Sequence, residues 1–197
     1  MAINARTFQV LYIARQQAQA DLPVTAEAIG EFIADRRKSA PGIYERSYIA
    51  PSALLQILQR MTTGEGLLTR AGNGEYDMTV RGSQMADLVT DYDACSSKFI
   101  DNYKEEVCRA VLQQRQRLGQ GPATPREVSA LSNISLDSAR RGLEGLVAKD
   151  DAVEDRATRT PTYAAPEPPA SNGTDFTTDG GLDDKDAEEA PMTDMTN

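Results

Sequence analysis

The chain has 197 residues, a formal net charge of −9 at pH 7, two cysteines and no histidine. Without histidine, Cys2His2 zinc sites and histidine-based acid–base catalysis are excluded, and no nucleophile motif or phosphate-binding glycine loop is present, so we expect no enzyme, no cofactor and no metal. No apolar run could span a bilayer and the N-terminus lacks a secretory signal, so we expect a cytoplasmic protein with no membrane partner. In that location the two cysteines should be buried and unpaired.

Helices and a β-hairpin are predicted over the first half. Phe8 and Leu11 share a helical face, and Thr25 and Pro51 are typical of helix starts. The Gly-Asn-Gly sequence at 72–74 is a hairpin signal between two short runs of β-favouring residues. The predicted elements are a helix over 4–20, a helix over 25–37, a polar loop over 36–47, a helix over 51–61, strands over 67–70 and 76–80, and a helix that begins at Thr79.

The second half repeats this order. The run from Thr124 to Glu127 is a capping box with proline at the first helical position, and Ser135 is typical of another helix N-cap. Leu143 and Leu146 lie on the face that we expect to be buried. The predicted elements are a helix over 97–118, a helix over 125–132, a turn over 133–135, a helix over 136–149 and a hairpin over 152–164.

The acidity of the chain is concentrated in its last part. From residue 151 onward there are twelve acidic and three basic residues, a balance that accounts for the whole net charge, so residues 1–150 are neutral. Residues 165–197 are rich in Pro, Gly, Asp and Thr and poor in large apolar side chains, which is typical of disorder. We predict a disordered acidic tail there, which either improves solubility or competes with nucleic acid for a basic face of the protein.

The helix, helix, turn, helix and hairpin order resembles a winged helix-turn-helix domain and occurs twice. "TPREVSALSNISLDSARRGLEGLVAKD" resembles the stretch of this family that contains the recognition helix. "GLLTRAGNGEYDMTVRG" resembles the wing and the next helix start of MarR-like and PadR-like regulators, which often have Leu-Thr-x-x-Gly where this chain has residues 78–82. The excess of Arg over Lys, with abundant Asp and Thr, resembles a salt-adapted proteome, such as that of a haloarchaeon or one of its viruses.

The resemblance implies a mainly α fold with small β-hairpin wings. It predicts two tandem winged helix-turn-helix domains, at residues 1–96 and 97–164, followed by the acidic tail at 165–197. The loop at 36–47 is longer than usual for the family, and the tail has no counterpart in it.

In such a domain the third helix enters the major groove and the wing contacts phosphates. In the second unit, helical spacing leaves polar residues outside the buried face of the third helix, and the wing contains two arginines. The candidate DNA-binding residues are Arg126, Ser135, Asp137, Ser138, Arg140, Arg141, Arg156 and Arg159. Ion pairs of Arg140 or Arg141 with Asp137 or Glu144 are the alternative use of this face.

The first unit has fewer basic candidates. Its third helix and wing offer the candidate DNA-binding residues Ser52, Gln56, Arg60 and Arg70, and its loop adds Arg36, Arg37, Lys38 and Arg46. Leu55 is predicted to face outward, which is typical of a protein contact rather than a DNA contact.

These features predict a sequence-specific protein that binds double-stranded DNA, as a transcription regulator. A homodimer is expected because such regulators bind two-fold sites, and apolar residues over 85–118 would form either its interface or a core between the two units. The alternative is an adaptor in a chromosome-partition or replication complex, similar to the paired winged-helix partners of SMC–kleisin machines, in which the same surfaces bind protein partners.

Overall fold

The computed structural model describes residues 2–166, so most of the predicted tail lies outside the described residues. Within them the chain is mainly helical with two small antiparallel sheets of two strands each. The elements are α1 (Ala5–Gln19), α2 (Ala26–Ser39), α3 (Pro41–Tyr44), α4 (Pro51–Thr63), β1 (Leu68–Gly72), β2 (Glu75–Met78), α5 (Val80–Asp87), α6 (Ser97–Arg117), α7 (Pro125–Ser132), α8 (Leu136–Val147), β3 (Val153–Asp155) and β4 (Thr162–Ala164).

Side-chain caps begin most of these helices, and the predicted caps are confirmed. Thr25, Thr79 and Ser135 each accept a hydrogen bond from a backbone N–H in the first turn of the following helix. Thr124 and Glu127 form the predicted reciprocal capping box at α7. Because a cap needs only residues three positions apart, the local sequence was enough to predict these helix starts.

Two predictions of local structure are wrong. The segment over 36–47 is not a polar loop, because it contains the end of α2, α3 and a 3-10 turn, and Tyr44 within it is buried. The Tyr44 hydroxyl donates to Asp93 at 2.6 Å and accepts from Arg36 at 2.7 Å, which ties this segment to the chain that follows α5. Val80 is not a strand residue but the first residue of α5, where Thr79 caps the helix, and its side chain is 79% exposed.

Both hairpins join the body of the protein in the same way. In the first, Thr25 and Glu75 form an isolated bridge, and in the second, Ala123 and Tyr163 do so. The first residue of each pair belongs to the segment that precedes α2 or α7, and the second belongs to the later strand of the hairpin. Each half therefore contains a hairpin that is held to the entry of its own second helix, a correspondence that the sequence patterns did not predict.

One hydrophobic cluster runs through both halves of the described chain. The Phe8 ring of α1 meets the Phe99 ring of α6 edge to face, with ring centroids 6.4 Å apart. The backbone N–H of Ile3 donates to the carbonyl oxygen of Asn133 at 2.9 Å, between α7 and α8. Of the apolar residues proposed for a core or a dimer, Val89 and Phe99 are buried within the chain, and Ala86 and Leu88 are buried with them. The division into two domains at residue 97 stays a prediction.

Two further expectations concern membranes and cysteines. None of the helices in residues 2–166 is both long and apolar enough to cross a membrane. Cys95 and Cys108 are both buried and free, as predicted. Burial raises the pKa of each thiol from near 9 to about 12, so both remain protonated at neutral pH.

Candidate nucleic-acid interface

Helix α8 is strongly amphipathic, and its exposed face contains three of the predicted DNA-binding residues. Leu143 and Leu146 are fully buried on its inner side, whereas Asp137, Arg140 and Arg141 are exposed. The chain enters α8 through Asn133, which has a left-handed conformation (φ 55°) that asparagine tolerates better than most residues. This turn places α8 after α7 with its polar face toward solvent.

Ser135 and Ser138 contact each other at the start of α8, where Ser135 is the predicted N-cap. Ser135 is exposed, but its hydroxyl accepts from the Ser138 N–H at 3.1 Å and donates to the Ser138 hydroxyl at 2.9 Å. Ser138 is only 9% exposed, so the prediction that it lies on the outer face is wrong. It lies one turn before Gly142, on the face of α8 that approaches α6, where small residues are needed.

Two of the predicted arginines are held by neighbouring carboxylates. The Arg141 Nε lies 3.2 Å from the Asp137 Oδ2, which is the alternative predicted for this helix. Arg156 lies 3.0 Å from Glu154, whose pKa is lowered by the Arg156 hydrogen bond, and the Tyr163 hydroxyl also donates to Glu154. Such exposed pairs contribute little to stability, but they reduce the positive charge offered to a ligand.

Three other arginines have no such partner. No carboxylate of residues 2–166 lies within 4.0 Å of the guanidinium nitrogen atoms of Arg126, Arg140 or Arg159, and all three residues are exposed. Arg126 and Arg140 border the same depression of about 380 Å³, between α7, α8 and the second hairpin. The structure thus places these two predicted residues, from consecutive helices, at one surface.

The surface around this depression is not uniformly basic. Glu144 also borders it, and Asp155 is exposed at the end of β3. Leu136, Pro161 and Tyr163 line the remainder, and sequence reasoning did not include them. These three residues line the depression only because the second hairpin packs against α8, and no local sequence pattern predicts that packing.

In the first half, the predicted candidates are dispersed. Ser52 and Gln56 are exposed on α4, and Arg70 is exposed on β1, opposite Tyr76. Leu55 is 55% exposed between the two α4 candidates, as predicted. This face of α4 therefore has polar and apolar groups but no exposed cation among its predicted contact residues.

Arg60 is the clearest correction among the candidates. Its Nε lies 2.9 Å from Oε1 of Glu65, a carboxylate with a fully buried side chain, and its NH2 group donates to Thr7 at 2.9 Å. Burial raises the pKa of Glu65, while the charge of Arg60 opposes that shift. Arg60 thus neutralises a buried acid and is not available for DNA. A glutamate five residues later was visible in the sequence, but its burial was not.

The arginines of the 36–47 segment also make internal contacts. Arg36 lies over the rings of Phe32 and Tyr44, and Arg37 lies over the ring of Tyr48. Arg46 donates to Asp101 of α6 at 2.8 Å. The charges of Arg36 and Arg46 are therefore compensated by Asp93 and Asp101, whereas Arg37 is exposed.

Nothing in residues 2–166 resembles a metal centre, since no three cysteine, aspartate or glutamate side chains converge there. Comparison of the chain with protein-family models and with curated proteins finds no match.

Proposed function

We propose that this protein binds double-stranded DNA through its second half and acts as a sequence-specific transcription regulator. In this proposal residues 1–96 and 97–164 are tandem winged helix-turn-helix units. Helix α8 lies in the major groove, and the second hairpin contacts phosphates as the wing. In this proposal the protein is not an enzyme and needs no cofactor.

The repeated architecture supports the fold in this proposal. Each half has three principal helices followed by a hairpin, and in each the segment before the second helix bridges to the second strand of that hairpin. Tyr76 and Tyr163, both buried, occupy the corresponding strands. This equivalence links the two halves by structure as well as by element order.

One observation carries the DNA proposal, namely that Arg126 and Arg140 border one depression and have no carboxylate partner among the described residues. A guanidinium that is not paired internally can donate two hydrogen bonds to guanine or to a phosphate. Arg159, which likewise has no carboxylate partner in residues 2–166, lies in the hairpin loop, where a phosphate contact is expected. Most other exposed arginines named as candidates already have an acidic partner.

The test is a fluorescence-anisotropy titration of random duplex DNA with the full chain across a salt series. The variant Arg126→Ala/Arg140→Ala should bind at least about tenfold more weakly. The slope of log affinity against log salt concentration should become shallower by about 2, which corresponds to the loss of two phosphate contacts. The matched control is Lys98→Ala/Arg117→Ala, which removes the same charge from exposed positions of α6 that are not among the candidate residues, and it should bind as the parent does.

An absence of saturable binding by the parent, or an equal loss in both double variants, would contradict the proposal. Where the parent binds, selection of enriched sequences from a random duplex pool should yield a consensus. The target sequence should be two-fold symmetric if the protein binds as the proposed homodimer.

A second candidate, the adaptor that binds protein partners, is favoured by one observation in the first half. The exposed face of α4 presents Leu55 between Ser52 and Gln56, and the neighbouring α2 presents Glu27 and Glu31. Carboxylates repel phosphates, so this face is better suited to a protein than to DNA. The adaptor hypothesis predicts that partner binding persists in the Arg126→Ala/Arg140→Ala variant.

A further inference from the structure

An open groove of about 490 Å³ lies between α2 and α4, separate from the surface proposed for DNA. We call it the α2–α4 groove. Ile49 and Leu54 are buried at its base, and Pro51 and Leu55 are exposed along its α4 side. Its volume is in the range of specific binding sites, and its base is apolar.

Gly30 keeps the α2 side of the groove open, although packing within the protein does not require a glycine at this position. Gly30 lies in the middle of α2, where glycine costs about 1 kcal/mol relative to alanine. A Cβ atom at Gly30 would meet no other atom within 4 Å. No neighbouring atom therefore explains the glycine. A ligand in the groove could fill the space that a larger side chain at position 30 would occupy.

The groove is long enough to hold two turns of a helix. Its α2 side extends from Ala26 to Ala34, a distance of about 12 Å at the helical rise per residue. Two turns of a second helix cover the same length with apolar residues at i, i+4 and i+7.

The charges at the edge indicate what kind of helix would fit. Glu27 and Glu31 are exposed one turn apart on α2, and neither has a cationic group within 4.0 Å in the part of the chain that the structure describes. None of the residues that line the groove is basic. A nucleic acid or an acidic segment would be repelled here, and a segment with lysine or arginine beside its apolar residues would be attracted.

We propose that the α2–α4 groove binds a basic amphipathic helix of a partner protein. An apolar side chain of that helix contacts Leu54 and Leu55, and its cationic side chains pair with Glu27 and Glu31. This inference rests on the same face of α2 and α4 as the adaptor candidate and names its partner chemistry. The surface is not used in the DNA proposal, so the groove and the DNA proposal can fail independently.

The experiment uses three labelled synthetic peptides and the full chain, with binding followed by fluorescence anisotropy. The first peptide is a designed helix with leucines along one face and lysines beside them. The second has glutamate in place of each lysine, and the third has the composition of the first with leucines distributed around the helix. Only the first should bind saturably, because it alone combines the apolar stripe with positive charge.

Two variants locate the binding. Glu27→Lys/Glu31→Lys should weaken binding of the first peptide by at least about tenfold by reversing the edge charge. Gly30→Met should weaken it similarly by filling the groove, and unfolding by urea should show that this variant is at least as stable as the parent. The control Glu45→Lys/Asp77→Lys makes the same change in net charge at exposed sites outside the groove and should bind as the parent does.

Binding of the first peptide that survives both groove variants would place it elsewhere, such as on the acidic C-terminal residues, and would overturn the proposal. Equal binding of the first and third peptides, or no saturable binding at all, would also overturn it. Random-duplex DNA binding measured on Gly30→Met, which leaves the net charge unchanged, should equal that of the parent, so failure of the groove is distinguished from failure of the DNA proposal.

Discussion

At the scale of single residues, the contacts of Thr79 and Gly82 give the Met78–Gly82 sequence a structural role. The Thr79 hydroxyl donates to the Gly66 carbonyl oxygen at 2.8 Å and accepts from the Gly82 N–H at 3.0 Å, so one side chain joins the end of α4 to the start of α5. A Cβ atom at Gly82 would overlap the carbonyl oxygen of Leu67. The sequence pattern thus reflects a cap and a close backbone approach, both of which are structural.

We expect Gly82→Ala to lower the free energy of unfolding by about 3 kcal/mol, because the Leu67 backbone cannot move away without breaking the β1 register. The measurement is urea unfolding followed by far-ultraviolet circular dichroism. Gly30→Ala is the matched control, since it also replaces a helical glycine but in open space, and it should stabilise the protein by about 0.5–1 kcal/mol. Equal unfolding midpoints for the two variants would contradict this account.

At the scale of elements, the crossing of α6 and α8 determines which face of α8 reaches solvent. A Cβ atom at Gly142 would lie 2.5 Å from the Lys104 carbonyl oxygen and 2.7 Å from the Cys108 sulfur, so the two helices approach closely there. At Gly145 the nearest atoms belong to the flexible Glu105 side chain. This close contact buries Ser138 with the glycines and leaves Arg140 on the outer face.

Gly142→Ala should therefore destabilise the protein by about 2–3 kcal/mol, because α6 and α8 must separate to admit the methyl group. Gly145→Ala should change stability by less than about 1 kcal/mol, since the Glu105 side chain can rotate away and alanine favours the helix. The thermal unfolding midpoint reports both effects. A Gly142→Ala midpoint at or above that of Gly145→Ala would show that the helix crossing is not this tight.

At the scale of the whole molecule, the two halves share their core. Phe8 of α1 packs against Phe99 of α6, and α6 itself packs against α7 and α8. Arg46 pairs with Asp101, and Ile3 bonds to Asn133 across the same division. These contacts predict that residues 2–166 unfold as one cooperative unit.

Phe8→Ala should remove about 3–5 kcal/mol of stability, and hydrogen exchange measured by mass spectrometry should show equal losses of protection in α4 and α8. The exposed substitution Leu55→Ala is the control and should leave protection in both helices unchanged. If α8 keeps its protection in Phe8→Ala, the halves are independent domains that divide near residue 97, as the sequence predicted.

Local chemistry made much of the fold predictable. Helix starts at Thr25, Thr79, Thr124 and Ser135, and the buried face of α8, depend on residues within a few positions of one another. The 36–47 segment was missed because Asp93, which binds Tyr44, lies 49 residues away. The candidate site was predicted less well, since Arg60 and Ser138 had to be removed from it.

By itself, the sequence determined the order of helices and hairpins, the caps and the neutral balance of residues 1–150, because these follow from composition and short-range periodicity. Only the tertiary structure decided which charges are free. It paired Arg60 with a buried Glu65, placed Arg126 and Arg140 at one depression, and left Glu27 without a cationic partner among residues 2–166. Whether a charge is compensated depends on groups that are distant along the chain and are brought together by packing, which a linear pattern does not record.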